Sequence, residues 1–130
     1  MIVVDASAMA EALIGATLDE ELLAGLAGEV SAPHLLDVEV LSVLRRLALA
    51  GKLSVADADE ARSNFFALTI DRYETQPLSD RVWQLRYQFT SYDACYLALA
   101  EALDAPLYTC DRKLDTAGHR AEVRVFPPAG

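Results

Sequence analysis

The sequence predicts an α/β sandwich, with a mostly parallel central sheet of four to five short strands and helices on both sides. Three observations predict it. Short apolar or β-branched runs alternate with stretches of helical period along the chain. The first run, Ile2-Val3-Val4, is too compact to show alternation, as expected of a strand buried on both faces of a parallel sheet. No linker, internal repeat or low-complexity block interrupts the 130 residues, a length that suits one domain spanning 1–130.

The elements follow in order. Ile2-Val3-Val4 ends at Asp5, and Ala6 to Leu13 reads as a helix with Ser7 as a possible cap and Gly15 as its stop. Leu18 to Leu26 is a second helix, opened by Asp19, Glu20 and Glu21, which suit the positive end of the helix dipole, and ended by Gly28. Val30 to Ala32 is a brief strand before Pro33. His34 to Ala50 is the longest helical pattern, with Leu35, Val38, Leu41 (or Ser42), Val43, Leu44 and Leu47 as its apolar stripe. Gly51 closes it. Ser54 caps a helix from Val55 to about Leu68, and a strand is expected between Thr69 and Thr75. Ser79 to Phe89 reads as one helix. Ser91 caps another, Tyr92 to Leu103. Pro106 to Cys110 is a strand ending at Asp111, followed by a short helix to about Ala117. Val123 to Phe126 is the last strand, and residues 127–130, with their Pro-Pro pair, read as a frayed tail.

Composition excludes several classes. At 53% hydrophobic residues the chain can fill a core, and disorder is not expected. Its net charge of −9 argues against a protein that coats nucleic acid with a basic face. One exception stays open: an acidic protein that reaches phosphate through divalent cations. No apolar run approaches the ~20 residues that span a bilayer. The opening MIVVDASAM lacks a basic region, and Asp5 cuts its apolar run, so it does not read as a signal peptide. Two cysteines, Cys95 and Cys110, are too few for a disulfide framework and read as reduced thiols, buried as small apolar groups, in a cytoplasmic protein.

In open parallel sheets ligands bind beyond the carboxyl ends of the strands. Two strands end there in aspartate, Asp5 and Asp111. Either can simply cap the next helix, but if the two strands are neighbours the pair starts a carboxylate cluster. Asp93 stands in the first turn of a helix whose remainder, Ala94 to Ala100, is almost wholly apolar. Its plain role is dipole support; a buried helix would instead aim that polar turn at the sheet end. Glu39 interrupts an apolar helix. Asp37 lies two residues away, so the two acids point to different faces and only one can join an inward cluster. Clustered carboxylates repel and would retain protons without a cation. With no His/Cys set nearby, a hard ion held by oxygen, Mg²⁺ or Mn²⁺, is the matching partner. Such ions acidify water and neutralise a phosphodiester.

These residues carry a family resemblance. Ile2 to Ala8, Leu35 to Arg46, Ser91 to Glu101 and Pro106 to Leu114 together resemble a PIN-domain ribonuclease, and within that family a VapC-type toxin of a bacterial toxin–antitoxin pair. Each motif alone is weak; the four in order, across almost the whole chain, are specific. The resemblance implies a PIN-like α/β/α sandwich and an acidic metal site of Asp5, Glu39, Asp93 and Asp111. It implies Asp5 and Asp93 as direct ligands of a first Mg²⁺ or Mn²⁺, with Glu39 acting through water. Asp111 would complete a second, weaker position. Ser7 and Thr109 match polar positions beside the acids and are expected to hydrogen-bond them. Asp115 lies one turn past Asp111 and either faces the same pocket or is solvated; Asp37 is left to the helix dipole. Cys110, between Thr109 and Asp111, departs from the family pattern, as a buried thiol, a soft donor or an oxidation-sensitive group.

The activity implied is endonucleolytic hydrolysis of structured RNA, tRNA or rRNA, which inhibits translation and growth. A VapB-type antitoxin would neutralise it. A homodimer is the family habit, with Leu22-Leu23 and Leu44 to Leu49 as candidate faces. Arg45, Arg46, Arg86, Arg112 and Lys113 can steer RNA or can be solvated or ion-paired. Trp83, Tyr87 and Phe89 read as core or interface, His34 as a helix-start residue and His119 as an unpaired loop residue. Two alternatives stand beside this reading. One is an acidic receiver-like phospho-acceptor domain, although the sequence lacks an acid pair after the first strand and a Lys near the end of the last. The other is a PIN fold that only binds.

Overall fold

The computed structural model describes residues 1–127, so all but the first residue of the expected tail lies outside the described residues. In chain order the elements are β1 (Ile2–Val4), α1 (Ala6–Ile14), α2 (Glu20–Ala27), β2 (Val30–Pro33), α3 (Leu35–Leu49), α4 (Val55–Ala67), β3 (Asp71–Tyr73), α5 (Ser79–Gln84), α6 (Ser91–Leu103), β4 (Leu107–Thr109) and β5 (Val123–Val125). Three 3₁₀ turns join them, at Gln76–Leu78, Leu85–Tyr87 and Arg112–Leu114.

The five strands form one sheet in the order β3-β2-β1-β4-β5, with every neighbouring pair parallel. β1 is central: Ile2 pairs with Val30 on one side, and Val3 and Val4 pair with Leu107 and Tyr108 on the other. The order reverses between β1 and β4, which opens a crevice at their carboxyl ends. Receiver domains have the order 2-1-3-4-5, so this topology removes the receiver-like alternative.

Burial explains the sequence pattern. β1, β2 and β4 are wholly buried, which is why they show runs rather than alternation. α6 buries seven consecutive residues, Ala94 to Ala100. Small side chains at four of the seven let this helix lie against strands β1, β2 and β4.

Several sequence expectations are corrected. Asp5, not Ser7, is the N-cap of α1, and Thr90, not Ser91, caps α6 by accepting from the Asp93 N–H. In α3 the fully buried residues are Leu36, Val40 and Leu44, while Val38 is 65% exposed and Leu41 also meets solvent. The true stripe is displaced because β2 and α1 pack on that side of the helix. The stretch from Ser79 to Phe89 is not one helix: α5 ends at Gln84 and tightens into a 3₁₀ turn, as helix ends commonly do. Leu22 and Leu44, expected on a dimer face, are core residues, leaving Leu23 and Leu49 exposed. Trp83 and Tyr87 are exposed rather than core, whereas Phe89 is buried. His119 is paired: its Nε2 lies 2.6 Å from the Leu114 carbonyl and its Nδ1 accepts from the Ala121 N–H.

Gly25 is the point of closest approach between α2 and the sheet. A Cβ there would lie 2.6 Å from the Tyr108 ring and 3.2 Å from Ile2. Gly→Ala inside a helix ordinarily stabilises by ~0.5–1 kcal/mol. Here overpacking wins, and Gly25→Ala is expected to lose ~1–3 kcal/mol in urea unfolding.

Candidate active site

β1 delivers Asp5 into the crevice beside β4, and the carboxylate is only 7% exposed. Three donors fix it. Its Oδ1 accepts from the Ala8 N–H at 3.0 Å, capping α1, and from the Ser7 hydroxyl at 2.7 Å; its Oδ2 accepts from the Thr109 hydroxyl. Each hydroxyl has one proton, and both are spent on Asp5, so the 3.3 Å approach of Ser7 Oγ to Thr109 Oγ1 is a contact between oxygens. The hydroxyl oxygens then accept in turn: Ser7 Oγ from the Cys110 N–H at 2.9 Å and Thr109 Oγ1 from the Asp111 N–H at 2.9 Å. Asp5, Ser7, Thr109 and the chain after β4 thus form one network.

The other three acids arrive from different elements. Glu39 is on α3 and accepts from the Tyr96 hydroxyl at 2.6 Å. Asp93 is in the first turn of α6. Asp111 caps the 3₁₀ turn after β4, accepting from the Lys113 N–H at 2.9 Å. Asp5, Glu39 and Asp93 all have pKa values raised above the usual carboxylate range, in each case chiefly by burial. Charge adds to it: Asp93 pushes Asp5 up, Asp5 and Asp93 push Glu39 up, and Asp111 pushes Asp93 up. Hydrogen bonds from Thr109, Ala8 and Ser7 oppose the shift at Asp5, and that from Tyr96 opposes it at Glu39. Lys113 stands close enough to lower Asp93. None of the four acids is in a salt bridge among the described residues.

A family model described as PIN domain matches residues 2–119. The chain belongs to the PIN domain family. Ribonuclease VapC9 of Mycobacterium tuberculosis is 41% identical over 128 residues, which cover 98% of this chain and 99% of that protein. Two solved structures share the PIN fold. Mycobacterium tuberculosis VapC20, described as a sarcin-ricin loop cleaving toxin, matches with a TM-score of 0.68 at 18% identity over 92% of this chain and 97% of its own. VapBC-5 of the same organism, a member of the VapBC family of toxin–antitoxin systems, matches with a TM-score of 0.60 at 19% identity over 97% of each chain.

Among the described residues of this PIN chain, no three His, Cys, Asp or Glu side chains are gathered closely enough to hold a metal ion. The donor chemistry nevertheless fits one. All the candidate donors are carboxylate oxygens, held partly out of water, mutually repelling and without a salt-bridged cation, a set that matches a hard divalent ion. Asp115 is exposed at the end of the 3₁₀ turn. Asp37 is not merely a dipole partner: the Arg72 Nε–H bridges both its carboxylate oxygens at 2.9 and 3.0 Å. Cys95 is buried and Cys110 half-buried, both as free thiols, and burial pushes Cys110 up to about 11. Tyr96 was missed in the sequence, although it stands three residues after Asp93, on the same helix face. Arg81 and Arg120 were missed as well; both pair with Glu101, tying α6 to α5 and to the loop before β5.

Raised acid pKa values set a pH slope in the metal-free protein. The folded state binds protons more tightly than the unfolded one, so stability is lost as pH rises through the folded pKa values. Glu101, lowered by Arg81 and Arg120 against its own burial, acts oppositely but only below its ordinary value of 4.5. In chelator, the melting temperature is therefore expected to fall as pH rises from the ordinary carboxylate range toward neutrality. Asp93→Asn should flatten that slope; an equal slope in the variant would show that the acids are not its source.

Proposed function

We propose that this protein is a VapC-type toxin, a divalent-metal-dependent endoribonuclease that cuts structured RNA, tRNA or rRNA, and so inhibits translation and growth. The observation that supports the reading is the mutual repulsion that couples Asp5, Glu39, Asp93 and Asp111, carried on four different segments and none of them in a salt bridge among the described residues. The 41% identity to a VapC ribonuclease supports it.

Asp5 and Asp93 are proposed as direct ligands of Mg²⁺ or Mn²⁺, with Asp111 completing a second position. When bound, the ion supplies positive charge against phosphodiester oxygens and acidity to water. The chain's own residues do the rest. Ser7, Thr109 and the Ala8 N–H hold Asp5 in one orientation. Glu39, aimed by Tyr96 and raised in pKa, orients the attacking water and takes its proton, a task suited to a carboxylate shifted toward neutrality. Asp115 is left at the rim. A VapB-type antitoxin is the proposed partner, supported by the likeness to VapBC-5. The protein is proposed to act in the cytoplasm as a homodimer; among the described residues no helix is long and apolar enough to cross a membrane. Intact acids in all four places favour catalysis over a fold that only binds.

Asp5→Asn keeps an N-cap residue and should fold, yet abolish RNA cleavage and growth arrest; Asp93→Asn should do the same. Full activity of either variant with added Mg²⁺ would falsify the site. Ser7→Ala, which loosens Asp5, is expected to cost about 10- to 100-fold in activity. Chelator should stop cleavage without unfolding the chain. Mg²⁺ or Mn²⁺ at about 100 times its Kd should stabilise the parent by ~2.7 kcal/mol in thermal melts. The gain should be lost in Asp5→Asn.

A further inference from the structure

One exposed cluster is absorbed neither by the fold nor by the acids. Trp83 is 65% exposed and Tyr87 82% exposed. Between them the Arg86 guanidinium lies 4.7 Å from the Trp83 ring centroid and 4.4 Å from that of Tyr87. It donates to the Trp83 carbonyl at 2.7 Å and to the Tyr87 hydroxyl at 2.8 Å. Both bonds and both rings hold one arginine rotamer, and Arg86 has no carboxylate partner among the described residues. Of the five N–H groups on a guanidinium, two are used. The result is a fixed cation flanked by two flat rings, open to solvent, on a chain of charge −9.

Its position relates it to the acids. Gln88, the next residue, packs against Gly118, and Phe89 meets the His119 ring edge-on at 5.7 Å. The segment that leaves the cluster therefore packs on the β4–β5 connection, which carries Asp111 and Lys113. Chain length sets a bound. Thr90 is three peptide steps from Tyr87 and Asp93 three residues further along the helix, so the Tyr87 and Asp93 Cα atoms lie within about 16 Å.

We propose that Trp83, Arg86 and Tyr87 form a stacking platform for unpaired nucleobases of the RNA whose backbone crosses the acidic site. The proposal rests on the ribonuclease reading for its substrate class. Unpaired bases stack on aromatic rings and on guanidinium planes, and arginine beside them meets the phosphates. Charge selects this occupant over a second copy of the chain: a symmetric interface centred here would bring Arg86 against its own copy. The platform restricts the substrate to single-stranded loops, because paired bases cannot present their faces.

Trp83 is the sole tryptophan, so its emission reports stacking directly. The Asp5→Asn protein, expected to cut no RNA, is titrated at low ionic strength with a single-stranded RNA octamer while binding is followed independently by filter retention. Saturable quenching in step with retention is expected, with little quenching by a duplex of the same composition. Arg86→Ala and Tyr87→Ala in this background should weaken octamer binding about tenfold, and Tyr87→Trp should restore it. In the otherwise unaltered enzyme, Arg86→Ala should raise KM about tenfold with kcat within twofold. Retention without quenching, equal quenching by duplex, unchanged affinity of the variants, or a parent dimer that Arg86→Ala dissociates in sedimentation would each overturn the platform. Quenching by RNA from a parent that cuts none would uphold the platform and defeat the ribonuclease reading instead.

Discussion

The carboxylate of Asp5 is the constraint on which the rest of the site depends. It caps α1, and through the hydroxyls of Ser7 and Thr109 it ties the end of β1 to the end of β4. A buried acid costs folding free energy unless its lone pairs are met, and here three donors meet them. The same two hydroxyl oxygens accept the N–H groups of Cys110 and Asp111. The chain that carries the fourth acid is thereby set by the group that holds the first. Scaffold and chemistry share one carboxylate.

Much of this was legible in the sequence, and for identifiable reasons. A parallel sheet buries both faces of its central strands, so Ile2-Val3-Val4 and Leu107-Tyr108-Thr109 announced themselves as runs, and each pointed to the polar residue that ended it. Glu39 stood out because an acid in an apolar helix has few cheap explanations. The stripe of α3 was not legible. Val38 and Leu41 are as apolar as Leu36 and Val40, and only the positions of β2 and α1 decide which pair is buried. Tyr96 escaped because a tyrosine in a buried helix needs no partner to look ordinary; that its hydroxyl finds Glu39 depends on how α3 and α6 pack. The break after Gln84 left no mark, since no glycine or proline stands there.

The proposed function would reconcile acidity with nucleic acid by division of labour. Asp5, Glu39, Asp93 and Asp111 repel one another, and the proposed ion would cancel that charge. Positive charge is sparse: Arg62, Arg72, Arg81, Arg120 and Arg124 are tied to acids, leaving Arg45, Arg46, Lys52, Arg86, Arg112 and Lys113 outside the salt bridges of the described residues, the last three on the segments that flank Asp93 and Asp111. A chain of this charge does not hold a polyanion by its general field. It needs local contacts, and specificity then follows from where those few contacts stand.

The pairing of β1 with β4 has a temporal consequence. Asp5 and Thr109 are 104 residues apart, and β1 can be completed on that side only when β4 has been made. At ~5–20 residues per second of synthesis, the N-terminal strand waits roughly 5 to 20 s for its neighbour. During that interval Asp5 lacks the Thr109 hydroxyl that donates to it in the folded chain. A nascent chain therefore carries most of the helices before the β1–β4 crevice has formed.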